Sequence, residues 1–387
     1  MPLDNKHFLL CIKKDVINGV YSPNPLDHHM GYFLSKGIEG WLFIYPCYYT
    51  RGNILSLQKV TSTEITPLVN IPVVPLLGRY NKILELVILI YAKFKLIPRD
   101  VYVLVEDYTH VLLMCLFKIV GLVKTVHFHL RYYSPNAESL AGRIHLFFLS
   151  SAIYCASLVT APTKRLLSQL DSLKLSSPAF HLPNAVPVEV FNKYKVSKSQ
   201  RVTNQLVCVV SSVSSKYKLL DLLSAFNKLT KEVETAQLTI IGNTTADTHY
   251  YREVKEYIRV HDLKHLVHFT GFLETEKALS YIAHCWAAVA LYNKTFDELV
   301  YTDAKKLREY AALGIPFITD AVTETSSELD SFNAGIVVTD LSELYIKMKE
   351  ILGKTSLYDS LSSGCDAWAE QNDLYRIMDS ILINTNK

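Results

Sequence analysis

Short apolar segments alternate with longer stretches of helical periodicity along nearly the whole chain. Such alternation is typical of parallel α/β folds, in which each helix returns the chain to the edge where the next strand begins. The sequence therefore predicts an α/β protein. The predicted strands comprise residues 7–12, 41–46, 101–106, 124–130, 157–161, 180–183, 206–210, 238–242, 267–271, 286–292, 316–319 and 336–339.

The chain of 387 residues is long for a single hydrophobic core and has the length of two ordinary domains. A polar segment, NKYKVSKSQRVTNQ, separates the two runs of predicted strands. We therefore predict two doubly wound, Rossmann-like domains, residues 1–190 and 191–355. Residues 356–387 are expected to be helical and to pack back on the first domain.

Positive charge is concentrated in the first half of the chain. Residues 1–185 contain 18 Lys and Arg against 11 Asp and Glu, a net charge of +7, whereas the remainder contains 22 against 26, a net charge of −4. A basic half suits phosphate or an anionic membrane surface, and it is also consistent with an ordinary solvated surface. Hydrophobic residues make up 49% of the chain, which argues against a disordered protein.

Seven cysteines are scattered through apolar segments, and none forms a CxxC pair. An odd number without such pairs indicates core thiols in a reducing cytoplasm rather than a disulfide framework. The N-terminal apolar segment is too short for a signal peptide. The longest uncharged window, residues 144–162, is interpreted as a helix followed by a strand rather than as a membrane span.

One helix carries its positive charge at the unfavourable end. Residues 304–313 are predicted to be helical, with Asp303 as the N-cap and Gly314 as the stop. Lys305 and Lys306 lie in the first turn, where the helix dipole is already positive, so they favour a bound anion. The alternative is a local ion pair between Lys305 and Glu309.

Five segments of the second half, in order, resemble the GT-B glycosyltransferases of the metal-independent group 1 type. They are LPNAVPVEVF, KLLDLLSAF, LTIIGNTT, VHFTGFLETEKALSYIAHCWAAVALY and KKLREYAALGIPFI. The first half is similar in layout and in the segment KTVHFHL. The resemblance implies the GT-B fold, in which two doubly wound Rossmann-like domains face a central cleft, and a nucleotide-sugar donor bound by the second domain.

The resemblance also implies which residues bind the donor. Lys306 would bind the diphosphate, because Ser212 stands where the family commonly has an arginine, and Glu309 would accept hydrogen bonds from the ribose hydroxyls. Leu219 replaces the glycine of the family's KG motif, and Tyr301 replaces the earlier of two glutamates. The implied donor-binding residues are Ser212, Lys216, Lys218, Gly242, Phe272, Lys306, Leu307 and Glu309. An exposed lysine is the alternative for Lys218, with Lys216 as its competitor, and a plain turn is the alternative for Gly242.

Two histidines of the first half are predicted to be catalytic. His127 and His129 lie two apart, on one face of a predicted strand, and His127 resembles the family histidine that contacts the transferred sugar. His127 could also act as a base toward the acceptor hydroxyl if the enzyme inverts. A structural role for a buried histidine is the alternative.

Asp27, His28 and Arg131 are the candidate acceptor-binding residues. A metal site at His28 and His29 is the rival interpretation, and it is weak because no further ligands are adjacent. Glu106 and Asp107 are the nearest approach to a metal-binding DxD pair, yet neighbouring strand residues point to opposite faces. We therefore expect neither a metal site nor a cofactor.

The helix predicted at residues 81–96 has Leu and Ile nearly all round and lysines at both ends. It could lie on an anionic cytoplasmic leaflet or be buried between the sheet and a neighbouring helix.

The resemblance implies a hexosyltransferase that moves a sugar from a nucleoside-diphosphate sugar, with UDP favoured, to a lipid-linked saccharide in surface-polysaccharide biosynthesis. Such an enzyme would be cytoplasmic, and peripheral on the inner face of the plasma membrane. No nucleic-acid partner is expected. The alternatives are a non-catalytic GT-B scaffold that binds a partner protein, and another GT-B nucleotide-sugar enzyme such as an epimerase or a hydrolase.

Overall fold

The structure, a computed structural model, describes residues 7–17, 20–22, 24, 26–47, 52–131, 139–170, 173, 175 and 177–385. The chain forms two compact units, Met1–Pro183 with Leu374–Lys387, and Asn184–Asp373. These boundaries lie at 183/184 and 373/374, where the sequence placed them at 190/191 and 355/356. The shift at the first boundary has a local cause, because the Asn184 backbone and side chain already bond to Asp303 of the second unit.

The first unit contains ten strands and six helices in its described part. The strands are β1 (His7–Lys13), β2 (Val16–Ile17), β3 (Val20–Tyr21), β4 (Glu39–Tyr45), β5 (Ile54–Val60), β6 (Ile65–Pro72), β7 (Val101–Val105), β8 (Thr125–His129), β9 (Leu158–Ala161) and β10 (Ala179–His181). The helices are α1 (Asp27–Ser35), α2 (Asn81–Lys95), α3 (Tyr108–Ile119), α4 (Leu140–Cys155), α5 (Lys164–Ser168) and the C-terminal α14 (Leu374–Thr385).

Eight of these strands form one sheet in the order β10-β9-β8-β7-β1-β4-β5-β6. The six strands from β10 to β4 are parallel and are those that the sequence predicts. Strands β5 and β6 were not predicted, and they add to the edge in antiparallel fashion. The described residues between β4 and β6 form no helix that could serve as the crossover of a parallel pair.

The two faces of this sheet are covered by different helices. On one face, side chains of α2, α3 and α4 join those of the strands in a single hydrophobic core. On the other face α1 packs through Phe33, whose ring lies 5.0 Å from that of Phe8 and 5.4 Å from that of Tyr102.

The C-terminal helix α14 packs on α1, which confirms that the chain returns to the first unit. Asp379 of α14 accepts a hydrogen bond from the Tyr32 hydroxyl at 2.8 Å and pairs with Lys36 at 2.8 Å. Residues 374–385 alone make this return within the described part, because the preceding helix (Thr355–Gln371) stays with the second unit.

The second unit is described throughout and contains a six-stranded parallel sheet in the order β13-β12-β11-β14-β15-β16. Its strands are β11 (Val202–Ser212), β12 (Gln237–Asn243), β13 (Val267–Gly271), β14 (Cys285–Ala290), β15 (Phe317–Asp320) and β16 (Ile336–Val338). Its helices are α6 (Val188–Phe191), α7 (Leu219–Thr230), α8 (Thr248–Val260), α9 (Thr275–Ala283), α10 (Asp297–Val300), α11 (Lys305–Ala312), α12 (Leu344–Gly353) and α13 (Thr355–Gln371).

This sheet is doubly wound, as predicted. The strand order runs outward from β11 in both directions, so a crevice opens beyond the carboxyl ends of β11 and β14. Separate cores fill the two sides of the sheet. The architecture therefore places any ligand of this unit at the turn that follows β11.

The window of residues 144–162 forms the end of α4 and then β9, as the sequence predicts. Across the described ranges, no helix has both the length and the apolar character of a membrane span. All seven cysteines are free, and Cys47 and Cys155 are exposed.

Candidate functional site

In the second unit, the segment that follows β11 is held against the end of β14. The Asn293 backbone N–H donates to the Lys216 carbonyl at 2.8 Å, and the Asn293 side chain donates to the Ser215 carbonyl at 3.1 Å. Helix α11 begins beside this segment, because Lys306 lies over the ring of Tyr217. Three lysines, Lys216, Lys218 and Lys306, are thereby gathered around the turn after β11.

Lys306 faces an aromatic ring rather than an acid. Its Nζ lies 4.7 Å from the centroid of the Tyr217 ring, and in the described part of the chain no carboxylate lies within 4.0 Å of it. The Tyr217 hydroxyl lies 2.6 Å from Ser211 Oγ. Burial acts to raise the pKa of Tyr217, but the charge of Lys306 and the bond to Ser211 lower it below its ordinary value. Lys306 is thus a cation at a helix N-terminus for which the described residues provide no ionic partner.

Lys218 and Lys216 are in different environments. Lys218 Nζ lies 3.6 Å from Asp320, whose carboxylate also accepts from the Tyr292 backbone at 2.8 Å. Burial raises the pKa of Asp320 above its ordinary value. Lys216 instead pairs with Glu298 at 2.6 Å on the surface. Of the two competing lysines, Lys218 therefore points to the end of the sheet.

Lys218 has an unusual backbone conformation at the start of α7. Its φ is 40° and its ψ is 43°, in the left-handed region that favours glycine. Such a conformation in a residue with a side chain is a site of backbone strain. The strain lies immediately before Leu219, the residue that replaces the glycine of the family motif.

Glu309 forms the local ion pair that the sequence left open. Lys305 Nζ lies 3.3 Å from Glu309 Oε1, and the two side chains are only 15% and 13% exposed. This ion pair neutralises Lys305, one of the two first-turn lysines, and does not involve Lys306. The role of Glu309 toward a ribose stays a prediction.

Asp303 is not the N-cap of α11, contrary to the prediction. The cap position is Ala304, without a side-chain capping bond, and the buried Asp303 carboxylate bonds elsewhere. It accepts from Arg308 Nε at 2.9 Å and from Thr325 Oγ1 at 2.8 Å, and it also accepts from the Asn184 N–H. The buried guanidinium of Arg308 outcompetes the helix N-terminus for this carboxylate because it offers a charged, bidentate partner.

The remaining implied donor-binding residues are Ser212, Gly242, Phe272 and Leu307, and the structure shows a packing role for two of them. A Cβ on Gly242 would lie 2.5 Å from the Val210 carbonyl oxygen, so glycine is required where β12 approaches β11. The Leu307 side chain is fully buried in the core. Ser212, at the end of β11, pairs with Asn243, and Phe272 is partly buried. Their contacts with a nucleotide stay predictions.

The two candidate catalytic histidines lie inside the first unit. His127 is fully buried, with Nδ1 2.7 Å from the Tyr102 hydroxyl and Nε2 2.7 Å from Thr160 Oγ1. Burial, together with nearby His29, lowers the pKa of His127 to about 3, so the ring is neutral at pH 7. Both its nitrogens are occupied, which is the arrangement expected of a structural histidine.

His129 differs from His127 in one respect. Its Nδ1 lies 3.0 Å from Thr160 Oγ1, whereas Nε2 has no hydrogen-bond partner among the described residues. Burial and the neighbouring charge of Arg131 hold its pKa well below the ordinary value. The unused Nε2 distinguishes His129 from His127, whereas burial and the charge of Arg131 disfavour protonation of its ring. The catalytic role of both residues stays a prediction.

A cluster of polar side chains lies beyond the carboxyl ends of β1, β7 and β8. The buried Glu106 carboxylate accepts from Arg131 at 3.0 Å, from the Asn24 side chain at 3.1 Å and from the Lys13 backbone at 3.3 Å. Arg131 is thereby placed at this edge with its side chain 40% exposed.

The other two candidate acceptor residues lie at the start of α1. Asp27 pairs with Lys14 at 2.7 Å and also accepts from the Asn24 backbone at 2.8 Å. His28 is partly buried and His29 is buried. No group of three potential metal ligands is found among the residues that the structure describes.

Sequence reasoning missed three residues of these sites. Tyr217 lies between two lysines and was assigned no role, and neither was Asp320, which follows a predicted strand. Glu106 was considered only as half of a metal-binding pair. A usable signal existed for the two acids, since each stands at the carboxyl end of a parallel strand. For Tyr217 the pairing with Lys306 is visible only in three dimensions.

The model of the family Glycosyl transferases group 1 matches residues 204–354. HepE of Anabaena, solved in complex with UDP-glucose, is 15% identical, with a TM-score of 0.65 over 98% of this chain and 99% of its own. Trehalose-6-phosphate synthase OtsA is 10% identical, with a TM-score of 0.72 over 98% of this chain and 99% of its own. Sucrose-phosphate synthase from Thermosynechococcus elongatus is 12% identical, with a TM-score of 0.69 over 98% and 97%. None of the curated proteins matches the sequence.

The similarity to these structures spans both units, whereas the family match covers the strands and helices that gather Lys218, Lys306 and Glu309. The chain therefore has the GT-B fold, and its residues 204–354 match the model of the group 1 glycosyl transferases.

Proposed function

We propose that the protein transfers a sugar, as a hexosyltransferase, from a UDP-sugar to a lipid-linked saccharide during surface-polysaccharide biosynthesis. In this proposal the enzyme is cytoplasmic, acts at the inner face of the plasma membrane and needs no metal. The observation that carries it is Lys306, a cation at the first turn of α11 that no carboxylate of the described chain neutralises. UDP is favoured as the nucleotide because HepE, of the same fold, was solved with UDP and with UDP-glucose.

The chemistry requires positive charge at the leaving group. When the bond between the anomeric carbon and the diphosphate oxygen breaks, the electron pair and the developing negative charge go to the diphosphate. In this proposal Lys306, at the positive end of the α11 dipole, stabilises that charge, and Lys218 lies on the neighbouring turn. Each charge-assisted hydrogen bond formed in this way contributes about 1.5–3 kcal/mol.

Glu309 would then bind the nucleoside part. Its carboxylate is held by Lys305 at one oxygen, Oε1, so it is fixed in position while the second oxygen remains available for a ribose hydroxyl. Lys305 therefore serves as a positioning residue for Glu309.

The acceptor side of the proposal rests on the polar cluster of the first unit. Arg131 donates hydrogen bonds, Glu106 and Asp27 accept them, and saccharide hydroxyls need both kinds of partner. His129, with its unused Nε2, is the proposed base for the acceptor hydroxyl, and the lipid-linked nature of the acceptor rests on the family resemblance.

The experiment is a thermal-shift measurement with UDP, GDP and ADP, each with and without EDTA. We expect UDP to raise the melting temperature and EDTA to leave the shift unchanged. At about 100 times the dissociation constant, linkage adds about 2.7 kcal/mol of stability, which is readily measured. A protein that no nucleotide stabilises would not have the proposed donor site, and a shift abolished by EDTA would contradict metal independence.

A non-catalytic scaffold is the second candidate, and specific observations favour it. Lys218 and Glu309 both have internal partners in the free protein, Asp320 and Lys305, and Ser212 stands at the arginine position. A scaffold predicts that UDP-sugars are neither bound nor consumed. Release of UDP from UDP-glucose or another UDP-hexose in the presence of extracted lipid-linked saccharides would exclude it.

A further inference from the structure

The outer surface of helix α2 is as apolar as its buried surface. Ile88, Leu89 and Ala92 are buried in the core of the first unit. On the opposite side, at helical spacing, stand Ile83, Val87, Ile90, Tyr91 and Phe94, which are 58%, 53%, 39%, 53% and 63% exposed. A solvent-facing helix surface is normally polar, so this stripe marks a contact that the described part of the first unit does not provide.

Helices α3 and α4 continue the same pattern. In α4, the exposed Leu140, Ile144, Phe147 and Phe148 recur at intervals of three and four residues, and the exposed Tyr154 lies two turns beyond Phe147. The last turn of α3 and the residue after it add Leu116, Ile119 and Val120. We call these exposed apolar side chains of α3 and α4, together with the α2 stripe, the apolar face.

The apolar face is continuous because its three helices form one layer. They cover the same face of the first sheet, with α3 in contact with both neighbours. The rings of Phe94 and Phe117 pack edge to face at 5.9 Å, and His110 of α3 lies 3.0 Å from the buried Glu85 of α2. These buried contacts hold the helices in place, so the face is preformed.

The exposed charges on these three helices and just beyond their C-terminal ends are mainly basic. Helices α3 and α4 contain no Asp or Glu, and Glu85, the acid of α2, is buried. Basic residues stand at the ends of the helices and on α4, namely Lys95, Arg99, Lys118, Lys124 and Arg143. Lys95, Arg99, Lys124 and Arg143 are exposed, and Lys118 is partly exposed.

We propose that the apolar face is a docking surface for an anionic lipid leaflet, on which α2 and α4 lie flat. Apolar side chains of such a face enter the boundary between headgroups and acyl chains, while lysines and arginines meet the lipid phosphates. A second copy of the chain fits less well. A two-fold contact sets the same patch against itself and would bring cation against cation, because the one acid on these helices, Glu85, is buried.

This inference stands apart from the donor site, because it uses only residues of the first unit. It extends the membrane association that the helix pattern of residues 81–96 suggested to two further helices. It also names the lipid charge that the surface recognises.

The test is co-sedimentation of the full chain with vesicles of phosphatidylcholine alone and of phosphatidylcholine with phosphatidylglycerol. We expect binding to the anionic vesicles. It should weaken as salt rises from about 0.1 M to about 1 M, over which the Debye length falls from about 10 Å to about 3 Å. Absence of binding to anionic vesicles, or binding that ignores both lipid charge and salt, would overturn the proposal.

Two double variants, each with a matched control, locate the surface. Ile144→Glu with Phe147→Glu should lower the vesicle partition coefficient about tenfold or more, since exposed apolar side chains are replaced by acids. Val260→Glu with Ile346→Glu, at exposed apolar positions of the second unit, is the matched control and should bind as the wild type does. Lys95→Glu with Arg99→Glu should reduce the salt-sensitive part of binding, against Lys228→Glu with Lys264→Glu as its control of equal charge change.

All four variants should keep the melting temperature and the nucleotide-dependent shift of the wild type, so a loss of vesicle binding cannot be ascribed to unfolding. Equal vesicle binding by Ile144→Glu with Phe147→Glu and by its control would overturn the proposal. So would a wild-type dimer that Ile144→Glu with Phe147→Glu converts to a monomer in light scattering, because the face would then be a contact between copies.

Discussion

Lys306 occupies a position where a positive charge is unfavourable unless a ligand is bound. The helix dipole opposes it, and the ring of Tyr217 compensates only in part, since a cation–π contact at a partly exposed site contributes about 0.5–1 kcal/mol. Lys306→Gln should therefore change the free energy of unfolding of the free protein by less than about 1 kcal/mol. The same variant should weaken UDP binding by about 1.5–3 kcal/mol and reduce turnover further, because charge on the diphosphate grows toward the transition state.

Melting curves with and without UDP measure both effects at once. Lys264→Gln, at an exposed lysine of the same unit, is the control and should alter neither. Tyr217→Phe keeps the ring beneath Lys306 and should bind UDP nearly as well as the wild type, whereas Tyr217→Ala removes the ring and should bind it less well. A destabilised free Lys306→Gln protein with unchanged UDP affinity would show that the lysine is structural.

A Glu309 variant distinguishes binding of the nucleoside from binding of the diphosphate. Glu309→Ala should weaken UDP binding, because the ribose hydroxyls lose their acceptor, by about 1–3 kcal/mol. Inorganic diphosphate should bind as tightly as before or more tightly, since Lys305 is released from its ion pair. Titration calorimetry with the two ligands makes the comparison, and an equal loss for both would mean that Glu309 is structural.

At the scale of the element, α11 is held in place by a buried pair rather than by a cap. Arg308 and Asp303 have side chains that are 3% and 2% exposed, and Asp303 also binds Asn184 and Thr325. Arg308→Met should lower the free energy of unfolding by about 3–5 kcal/mol, because a buried carboxylate is left without its charged partner. Urea denaturation measures this loss.

Arg308→Met combined with Asp303→Asn should recover part of that loss, because the second change removes the unpaired charge. A double variant no more stable than the single one would assign the loss to packing against Trp368, whose ring lies 4.9 Å from the Arg308 guanidinium.

The elements differ in how well the sequence predicts them. Parallel strands such as β7 and β14 are found easily because they are buried on both faces and appear as unbroken apolar runs. The β5–β6 pair is missed because β6 is mostly exposed at the edge of the sheet and carries Pro67 and Pro72, which make its sequence resemble a loop. Pattern alone therefore identifies the interior of the sheet better than its edge.

The candidate sites are likewise predicted only in part from the sequence. Chain position is enough to place Lys218 and Lys306 at one edge, because parallel strands share their carboxyl ends. The partner of each side chain depends on distant residues, as with Asp303 and Arg308, or His127 and Tyr102, which are buried together. Local propensity favours Asp303 as a cap, and a tertiary ion pair overrides it.

On the scale of the whole molecule, the chain enters the first unit twice, because its last helix returns to α1. Helix α14 buries Leu374, Met378, Ile381 and Leu382. Asp379 adds its contacts with Tyr32 and Lys36. The first unit is therefore incomplete until residues 374–385 have been synthesised. The second unit, Asn184–Asp373, is already complete when Asp373 has been added.

Ending the chain after Asp373 should consequently affect the two units unequally. Removal of the four buried side chains costs the first unit about 6–12 kcal/mol, an upper estimate because unfolded chains already bury part of this surface. The donor-site residues all lie in the second unit, so the truncated protein should keep the UDP affinity of the full chain. Calorimetry with and without UDP tests both expectations, and Asp379→Asn, which keeps the helix, should cost only about 1 kcal/mol. Loss of UDP binding on truncation, with the second unit still folded, would show that the returning helix also supports the donor site.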